Sequence, residues 1–371
     1  MERSNKNNKT QQTQQACENK VKQALGGQHQ FIEDELKIII QEVKNHKEDG
    51  IIGKDMTYLA VKNSNTYMML TRRRGLKVIV SNNEVYSAPL PAEINNIEEF
   101  CYVDYLDCFL LENKGNLYRK DLDSYPPYLF FGNQKEEIHS TRLRYSKINR
   151  RILLMSEFKG EATMIIINLQ AKRNEFTFNM KKDKRDSMTD FRHFGEKENK
   201  LILLTMAGRV ILRVLNYSHK KILLQNRFDI ELKEDRGELG FSLAVSDNNQ
   251  YAVIELLTGY DRSSRLLLFG IKDDVIRLKA VHDHYSSQNP AHYQLKFWAK
   301  FGGHFLWVGL ALTGHEKAEV YDFDEKLGTL RELQDKRVSH EENWPSNLHK
   351  VGNEIFYTGY DGKLMKLGLR F

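Results

Sequence analysis

The pattern of apolar and polar positions repeats along most of this chain. Near its end, residues 355–369 form an apolar run, a polar turn that contains Gly359, and a second, alternating apolar run. This order predicts a β-hairpin, because glycine readily adopts the positive φ that tight turns need. The same pattern surrounds Gly259 and Gly314, and all three turns read Thr-Gly-(Tyr/His)-(Asp/Glu).

Looser copies of the hairpin pattern extend back to residue 67. The successive turn glycines are separated by 40, 45, 48, 51, 55 and 45 residues. A period of roughly 40–50 residues with several short strands per repeat is typical of propeller blades. We therefore predict an all-β fold, a seven-bladed β-propeller over residues 57–371. The turn glycines are Gly75, Gly115, Gly160, Gly208, Gly259, Gly314 and Gly359.

The ends of the chain are predicted to close the propeller together. The last repeat has three clear strands, so its fourth should come from the N-terminal side, within residues 51–62. The first blade can be framed in two ways, with residues 58–61 as its inner strand or with Asn82-Asn83 as its first hairpin turn. The second frame leaves only 32 residues before Gly115, which is short for four strands, although both frames give seven blades.

The region before the repeats is predicted to contain two segments. Residues 1–30 are polar and lack the apolar side chains needed for a core, which predicts a disordered tail. Residues 31–48 carry Leu36, Ile39, Ile40 and Val43 at the spacing of one helical face. We expect an amphipathic helix there, which either caps the propeller or offers its apolar stripe to a partner.

Two long polar stretches, residues 172–190 and 278–292, are interpreted as extended connections between blades. The first is basic, with Lys181, Lys182, Lys184 and Arg185.

Composition narrows the class of protein. Three cysteines in 371 residues argue against a disulfide framework and favour a reducing compartment. The N-terminus lacks the apolar core of a signal peptide. The sequence also contains no run of about 18 apolar residues, so no membrane span is expected. We expect a cytoplasmic or nuclear protein without a membrane partner. The net charge of +6 is moderate and permits an acidic partner.

The repeat layout resembles the WD40-like β-propellers. The resemblance rests on repeat spacing over residues 57–371, since the Gly-His and Trp-Asp dipeptides of that family are absent. Tyr321-Asp322, near the end of a third strand, is the nearest match to Trp-Asp. The resemblance implies the fold, and propellers serve as scaffolds, receptors and enzymes alike.

The sequence offers few candidates for catalysis. His282-Asp283-His284 could form half of a metal site, but no second His or Cys cluster has ligand spacing. Neither a Gly-x-Ser-x-Gly motif nor a glycine-rich phosphate loop occurs. Asp104 and Asp107 could supply the paired carboxylates of a glycosidase, although similar acids occur in every repeat. We therefore expect a non-enzymatic protein with no cofactor and no metal.

The turns between second and third strands carry most of the candidate binding residues. They combine cations with aromatic side chains, which often anchor protein interfaces. The sequence therefore predicts a protein-interaction scaffold, or a subunit of a larger assembly, that binds an acidic or mixed-charge protein segment on this basic hairpin-turn face. The predicted binding residues are Arg72, Arg73, Arg74, Phe158, Tyr260, Arg262, His315 and Tyr360.

Two alternatives to the scaffold remain open at this point. Nucleic acid could bind to the basic loops at 72–74 and 181–185, and such binding would depend strongly on salt. A less favoured alternative is an enzyme with its site in the central channel of the propeller.

Overall fold

The computed structural model describes most of the chain from residue 37 onwards. The described residues are 37–45, 56–71, 75–94, 97–132, 139–158, 161–181, 187–194, 200–206, 210–216, 223–230, 238–246, 250–258, 263–273, 275–285, 294–301, 304–311, 317–324, 328–337, 346–351, 354–358 and 363–370. The predicted polar tail over residues 1–30 lies outside these ranges.

Every regular element in the described residues is a β-strand, numbered here in chain order. The first sheet contains β2 (Met56–Asn63), β3 (Thr66–Thr71), β4 (Gly75–Val80) and β5 (Asn83–Ala88). The second contains β6 (Ile97–Val103), β7 (Cys108–Asn113), β8 (Asn116–Asp121) and β9 (Tyr128–Phe131). The third contains β10 (His139–Ser146), β11 (Arg151–Phe158), β12 (Glu161–Asn168) and β13 (Arg173–Lys181).

Four further sheets follow the same plan. The fourth contains β14 (Ser187–Phe194), β15 (Lys200–Met206), β16 (Val210–Asn216) and β17 (Leu223–Ile230). The fifth contains β18 (Glu238–Val245), β19 (Tyr251–Thr258), β20 (Ser263–Lys272) and β21 (Val275–Tyr285). The sixth contains β22 (Gln294–Phe301), β23 (His304–Ala311), β24 (Lys317–Asp324) and β25 (Thr329–Arg337). The last contains β26 (Ser346–Val351), β27 (Glu354–Thr358), β28 (Lys363–Arg370) and β1 (Lys37–Asn45).

The described strands thus form seven antiparallel sheets of four strands each. In six sheets the spatial order is the chain order, while the last has the order β1-β28-β27-β26. The first strands of consecutive sheets lie next to one another, from β26 through β2, β6, β10, β14 and β18 to β22. This is the arrangement of a β-propeller, so the predicted all-β propeller is confirmed.

The core lies between sheets rather than within one. Met68 of β3 and Phe109 of β7 belong to one fully buried cluster that joins the first and second sheets. Another cluster, with Leu110 and Ile165, joins the second and third. Tyr321 of β24 is fully buried with Tyr251 of β19, and the Asp322 beside it is also buried. The second sheet is therefore apolar on both faces, as stacked blades require.

The predicted helix over residues 31–48 is wrong where the structure describes it. Lys37–Asn45 is instead strand β1, and it pairs antiparallel with β28 in a register that sets Ile38 opposite Leu369. Val43 packs against the apolar cluster between the last and first sheets. The physical reason is the run Ile38-Ile39-Ile40, because β-branched residues favour strands over helices.

The same strand corrects the predicted closure of the last sheet. Its fourth strand does come from the N-terminal side, but from Lys37–Asn45 rather than from residues 51–62. Met56–Asn63 within that stretch is the first strand of the first sheet. The frame that made residues 58–61 the inner strand of the first blade is therefore confirmed, and the frame with Asn82-Asn83 as the first hairpin turn is wrong.

The two stretches interpreted as connections also contain strands. Residues 172–190 include β13 and the start of β14, and residues 278–292 include much of β21. Both β13 and β21 are the fourth strands of their sheets. Their polar composition fits this outer position, because a fourth strand has a neighbour on one side only.

All seven turn glycines fall where a second strand passes to a third. Gly75 begins β4 with a φ of 79°, and Gly115 lies between β7 and β8 with a φ of 83°. The other five lie in the chain between the corresponding strands but outside the described residues. The hairpin pattern therefore identified the same connection in every sheet.

Candidate interaction surfaces

The predicted binding residues occupy equivalent connections, but their side chains lie outside the described part of the chain. Arg72, Arg73 and Arg74 connect β3 to β4. Phe158 is the last residue of β11, where only its backbone is described. The remaining four lie between the second and third strands of the fifth, sixth and last sheets: Tyr260, Arg262, His315 and Tyr360. Their roles stay a prediction.

The described side chains form a network at the other end of the first three sheets. This end carries the turns that join first strands to second strands. In the second sheet, Asp107 accepts hydrogen bonds from the hydroxyl of Tyr102 and from Nζ of Lys62, which lies 2.6 Å away. Because Lys62 belongs to β2, the bond ties the turn of the second sheet to the first sheet.

The same turn is also tied to the third sheet. Asp104 accepts a hydrogen bond from the hydroxyl of Tyr145 in β10. Its second carboxylate oxygen lies 3.2 Å from Nζ of Lys147, just beyond β10. Below the turn, Glu99 of β6 accepts a 2.6 Å bond from the backbone N–H of Leu143. These contacts hold the ends of three sheets in register.

The turn carboxylates are stabilised in their ionised form. Hydrogen bonds from Lys62 and then from Tyr102 lower the pKa of Asp107 below its usual 3.8. Burial is the largest influence on Asp104 and raises its pKa, but the hydrogen bonds from Tyr145 and Lys147 outweigh it and leave the pKa lowered. Both acids are engaged as acceptors within a turn, an arrangement that favours a structural role over paired glycosidase carboxylates.

Apolar and basic side chains are exposed beside this network. The guanidinium carbon of Arg150 lies 4.5 Å from the ring centre of Tyr105, which is 38% exposed. Ile148, two residues before Arg150, is 59% exposed. The backbone N–H of Leu169 donates to the carbonyl of Arg150 at 3.1 Å, so the turn at 169–172 lies alongside the turn at 147–150.

We call this surface the turn patch, and it combines one aromatic residue, one aliphatic residue and four cations. Its members are Tyr105, Lys147, Ile148, Arg150, Lys172 and Arg173, all of them exposed. Sequence patterns do not reveal this surface, because its residues come from three separate turn regions of two repeats and none is unusual in isolation.

A buried lysine lies between the first and second sheets. Lys120 of β8 is fully buried, and its Nζ donates to the carbonyls of Asp121 and Asp123 at 2.6 and 2.8 Å. The same Nζ lies 4.6 Å from the ring centre of Tyr86 in β5. Burial, the largest influence, lowers the pKa of Lys120, and the hydrogen bond with Asp123 opposes it.

The candidate metal residue His282 lies in β21, while Cys101 and Cys108 lie in β6 and β7. No cluster of three His, Cys, Asp or Glu side chains suited to a metal occurs in the described residues. His282 lies 5.8 Å from the ring of Tyr321 and packs edge-on against it, while the side chains of Asp283 and His284 lie outside the described residues. Cys101 and Cys108 are free thiols, and burial raises the pKa of Cys108 to about 12.

The described part of the chain also lacks any helix of the length and apolar character that would cross a membrane.

Comparison with known proteins identifies the fold. No known protein family and no curated protein matches the sequence. Solved structures do match, and among them is the WD40 repeat region of RRP9, with a TM-score of 0.59 and 12% identity over 89% of this chain and 97% of that one. The β-propeller domain of Cps50 (Swd1) from Myceliophteria thermophila has a TM-score of 0.54 and 12% identity over 85% and 96%.

An enzyme shares the same architecture. Virginiamycin B lyase from Staphylococcus aureus, in a catalytically inactive form with quinupristin, has a TM-score of 0.55 and 9% identity over 90% of this chain and 99% of that one. At such low identities the likeness shows the fold alone. The structure thus confirms the predicted propeller fold, and the solved structures similar to it include WD40 repeats and a lyase.

Proposed function

We propose that this chain is a non-catalytic scaffold for protein–protein interaction, built as one closed ring of seven blades. Each four-stranded sheet is one blade, and β1 joins β28 so that the last blade combines both ends of the propeller. In this proposal the hairpin-turn face, formed by the seven connections from second to third strands, binds an acidic or mixed-charge protein segment.

One observation carries the proposal. In antiparallel sheets of uniform order, every second-to-third connection leaves the same end of its sheet. In the proposed ring, the seven connections would share one side, and their sequences supply the cations and aromatic residues of the predicted binding set. Arginine and aromatic side chains provide most of the energy in many protein interfaces.

The neighbouring structures are consistent with a scaffold, because several are WD40 repeats, but a propeller also supports catalysis in the lyase. The environment of the candidate catalytic side chains favours a scaffold over an enzyme. The two acids considered for catalysis, Asp104 and Asp107, are engaged as hydrogen-bond acceptors within a turn, whereas a reaction centre needs converging groups with open access.

The test is a purification of the tagged full-length protein from its native cell. We expect Arg72, Arg73 and Arg74 changed together to Ala to lose specific co-purifying proteins that the wild type retains. A matched variant with Lys272, Arg277 and Lys279 changed to Ala removes three exposed cations from the fifth sheet and should retain them. An unchanged set of partners in the Arg72–Arg74 variant would contradict the proposed face.

A further inference from the structure

We infer that the turn patch is a second docking surface, which binds an acidic protein segment that carries an apolar side chain. It lies at the opposite end of the sheets from the hairpin-turn face. The inference therefore goes beyond the proposed function and is tested separately from it.

The turn patch carries unbalanced positive charge. Lys147 lies near Asp104, but Arg150, Lys172 and Arg173 have no acidic partner among the described residues. The nearest acid along β13, Glu175, is held by Arg151, with bonds of 2.6 and 2.8 Å to its two carboxylate oxygens. Three cations at neighbouring strand ends therefore present a local positive field to a ligand.

This charged surface has an apolar centre. Ile148 is 59% exposed on a turn where a polar side chain would be equally well accommodated. The ring of Tyr105 lies under the guanidinium group of the neighbouring Arg150. An aromatic ring, an arginine stacked on it and an aliphatic side chain are the combination that anchors protein interfaces. The apolar centre distinguishes the turn patch from an ordinary solvated basic turn.

The turn patch is organised before binding. The backbone N–H of Asn149 donates to Oγ of Ser146, and that of Ala171 donates to Oδ1 of Asn168, so both turns of the third sheet are fixed locally. Asp104 and Tyr145 then fix the turn of the second sheet against the third. A preorganised surface loses less conformational entropy when a ligand binds.

These features favour an acidic polypeptide over a nucleic acid. A polyanionic backbone needs a long track of cations, whereas this patch is bounded by the carboxylates of Asp104 and Asp107. One ring face of Tyr105 is covered by Arg150, which removes it as a platform for stacked bases. A carboxylate-bearing segment can instead pair with the cations while its apolar side chain covers Ile148.

The experiment is a selection of short random peptides displayed on phage against the full-length protein at physiological salt. The enriched peptides should be acidic and contain an apolar residue. Reversing Arg150, Lys172 and Arg173 together to Glu should weaken their binding at least about tenfold, which corresponds to about 1.4 kcal/mol. The milder variant Ile148→Ser, which leaves the charge intact, should also weaken it.

The control is a charge reversal of the same size elsewhere. Lys272, Arg277 and Lys279 changed together to Glu should leave peptide binding unchanged, and thermal unfolding should show that each variant is folded. Three results would overturn the inference: no acidic peptide is enriched, the enriched peptides bind the Arg150 triple variant as well as wild type, or oligodeoxythymidine displaces them and Ile148→Ser has no effect. None of these depends on the Arg72–Arg74 variant, so failure here is separate from failure of the proposed function.

Discussion

The ammonium group of Lys120, fully buried in the second sheet, lies 4.6 Å from the centre of the Tyr86 ring in the first sheet. It also donates to the carbonyls of Asp121 and Asp123. A buried lysine is costly unless its donors are used, and here the carbonyls and the ring stabilise it. This contact links two neighbouring sheets and fixes the loop that leaves β8.

Replacing Lys120 is therefore expected to destabilise the propeller. Lys120→Ala should lower the free energy of unfolding by about 2–5 kcal/mol, because it opens a cavity and leaves two carbonyls without their donor. Lys120→Met keeps most of the volume and should cost less. Urea denaturation measures both changes, with the exposed Lys172→Ala as control. A Lys120→Ala variant as stable as this control would contradict the assigned role.

Replacing Gly75 with a residue that has a Cβ atom is predicted to destabilise the fold, because of the local backbone geometry. Its φ is 79°, and an added Cβ would lie 2.3 Å from the carbonyl oxygen of Ala88. Gly75→Ala should cost more than the roughly 1–2 kcal/mol of a left-handed backbone conformation, because the clash adds to it.

Gly368 provides the matched control for Gly75. A Cβ built there meets nothing within 4 Å, so Gly368→Ala should change the thermal midpoint little. Equal midpoints for the two variants would show that the turn at Gly75 does not have the geometry described.

The acid side of the stability profile should depend on Asp107. Its pKa is lowered in the folded state, so its stabilising contribution is complete above pH 3.8 and is lost as the pH falls through the lower folded value. Asp107→Asn should therefore flatten the decline in stability below pH 3.8. Urea midpoints measured across this range test the prediction, with Asp273→Asn in an exposed turn as control. A decline as steep as that of wild type would refute it.

Strand β1 should contribute to stability through its pairing with β28. Two truncations isolate its contribution, one that removes residues 1–36 and one that removes residues 1–45. Because the longer truncation exposes the edge of β28, we expect it to lower the thermal midpoint relative to the shorter one. Identical midpoints would mean that β1 does not hold the last sheet together.

Much of the fold could be predicted from the sequence because glycines recur at the equivalent turn of each repeat. Gly75 and Gly115 occupy positive-φ positions that few other residues tolerate, so their spacing reports the architecture directly. Residues 37–45 could not be assigned in the same way. Their apolar positions fit one face of a helix, and a short apolar run is ambiguous until its partner strand is known. Here the partner, β28, lies more than 300 residues away.

The turn patch illustrates a different limit. Tyr105 and Arg150 are 45 residues apart and meet only because two sheets pack side by side. Pattern analysis finds periodic features within an element, whereas such a contact depends on the angle and register between elements. The acids of this region show the same effect, because Asp104 and Asp107 suggest catalysis in the sequence and act as turn acceptors in the structure.

The central claim, that this propeller binds protein partners through its turns, is tested most directly by crosslinking mass spectrometry on the tagged full-length protein in its native cell. Both turn-bearing ends carry lysines, including Lys147 and Lys172 at one end and Lys363 at the other. We expect intermolecular crosslinks to other proteins that concentrate on these lysines and spare the exposed Lys279, which lies in the middle of β21 in the fifth sheet. Crosslinks confined to the outer strands, or none above an untagged control, would contradict it.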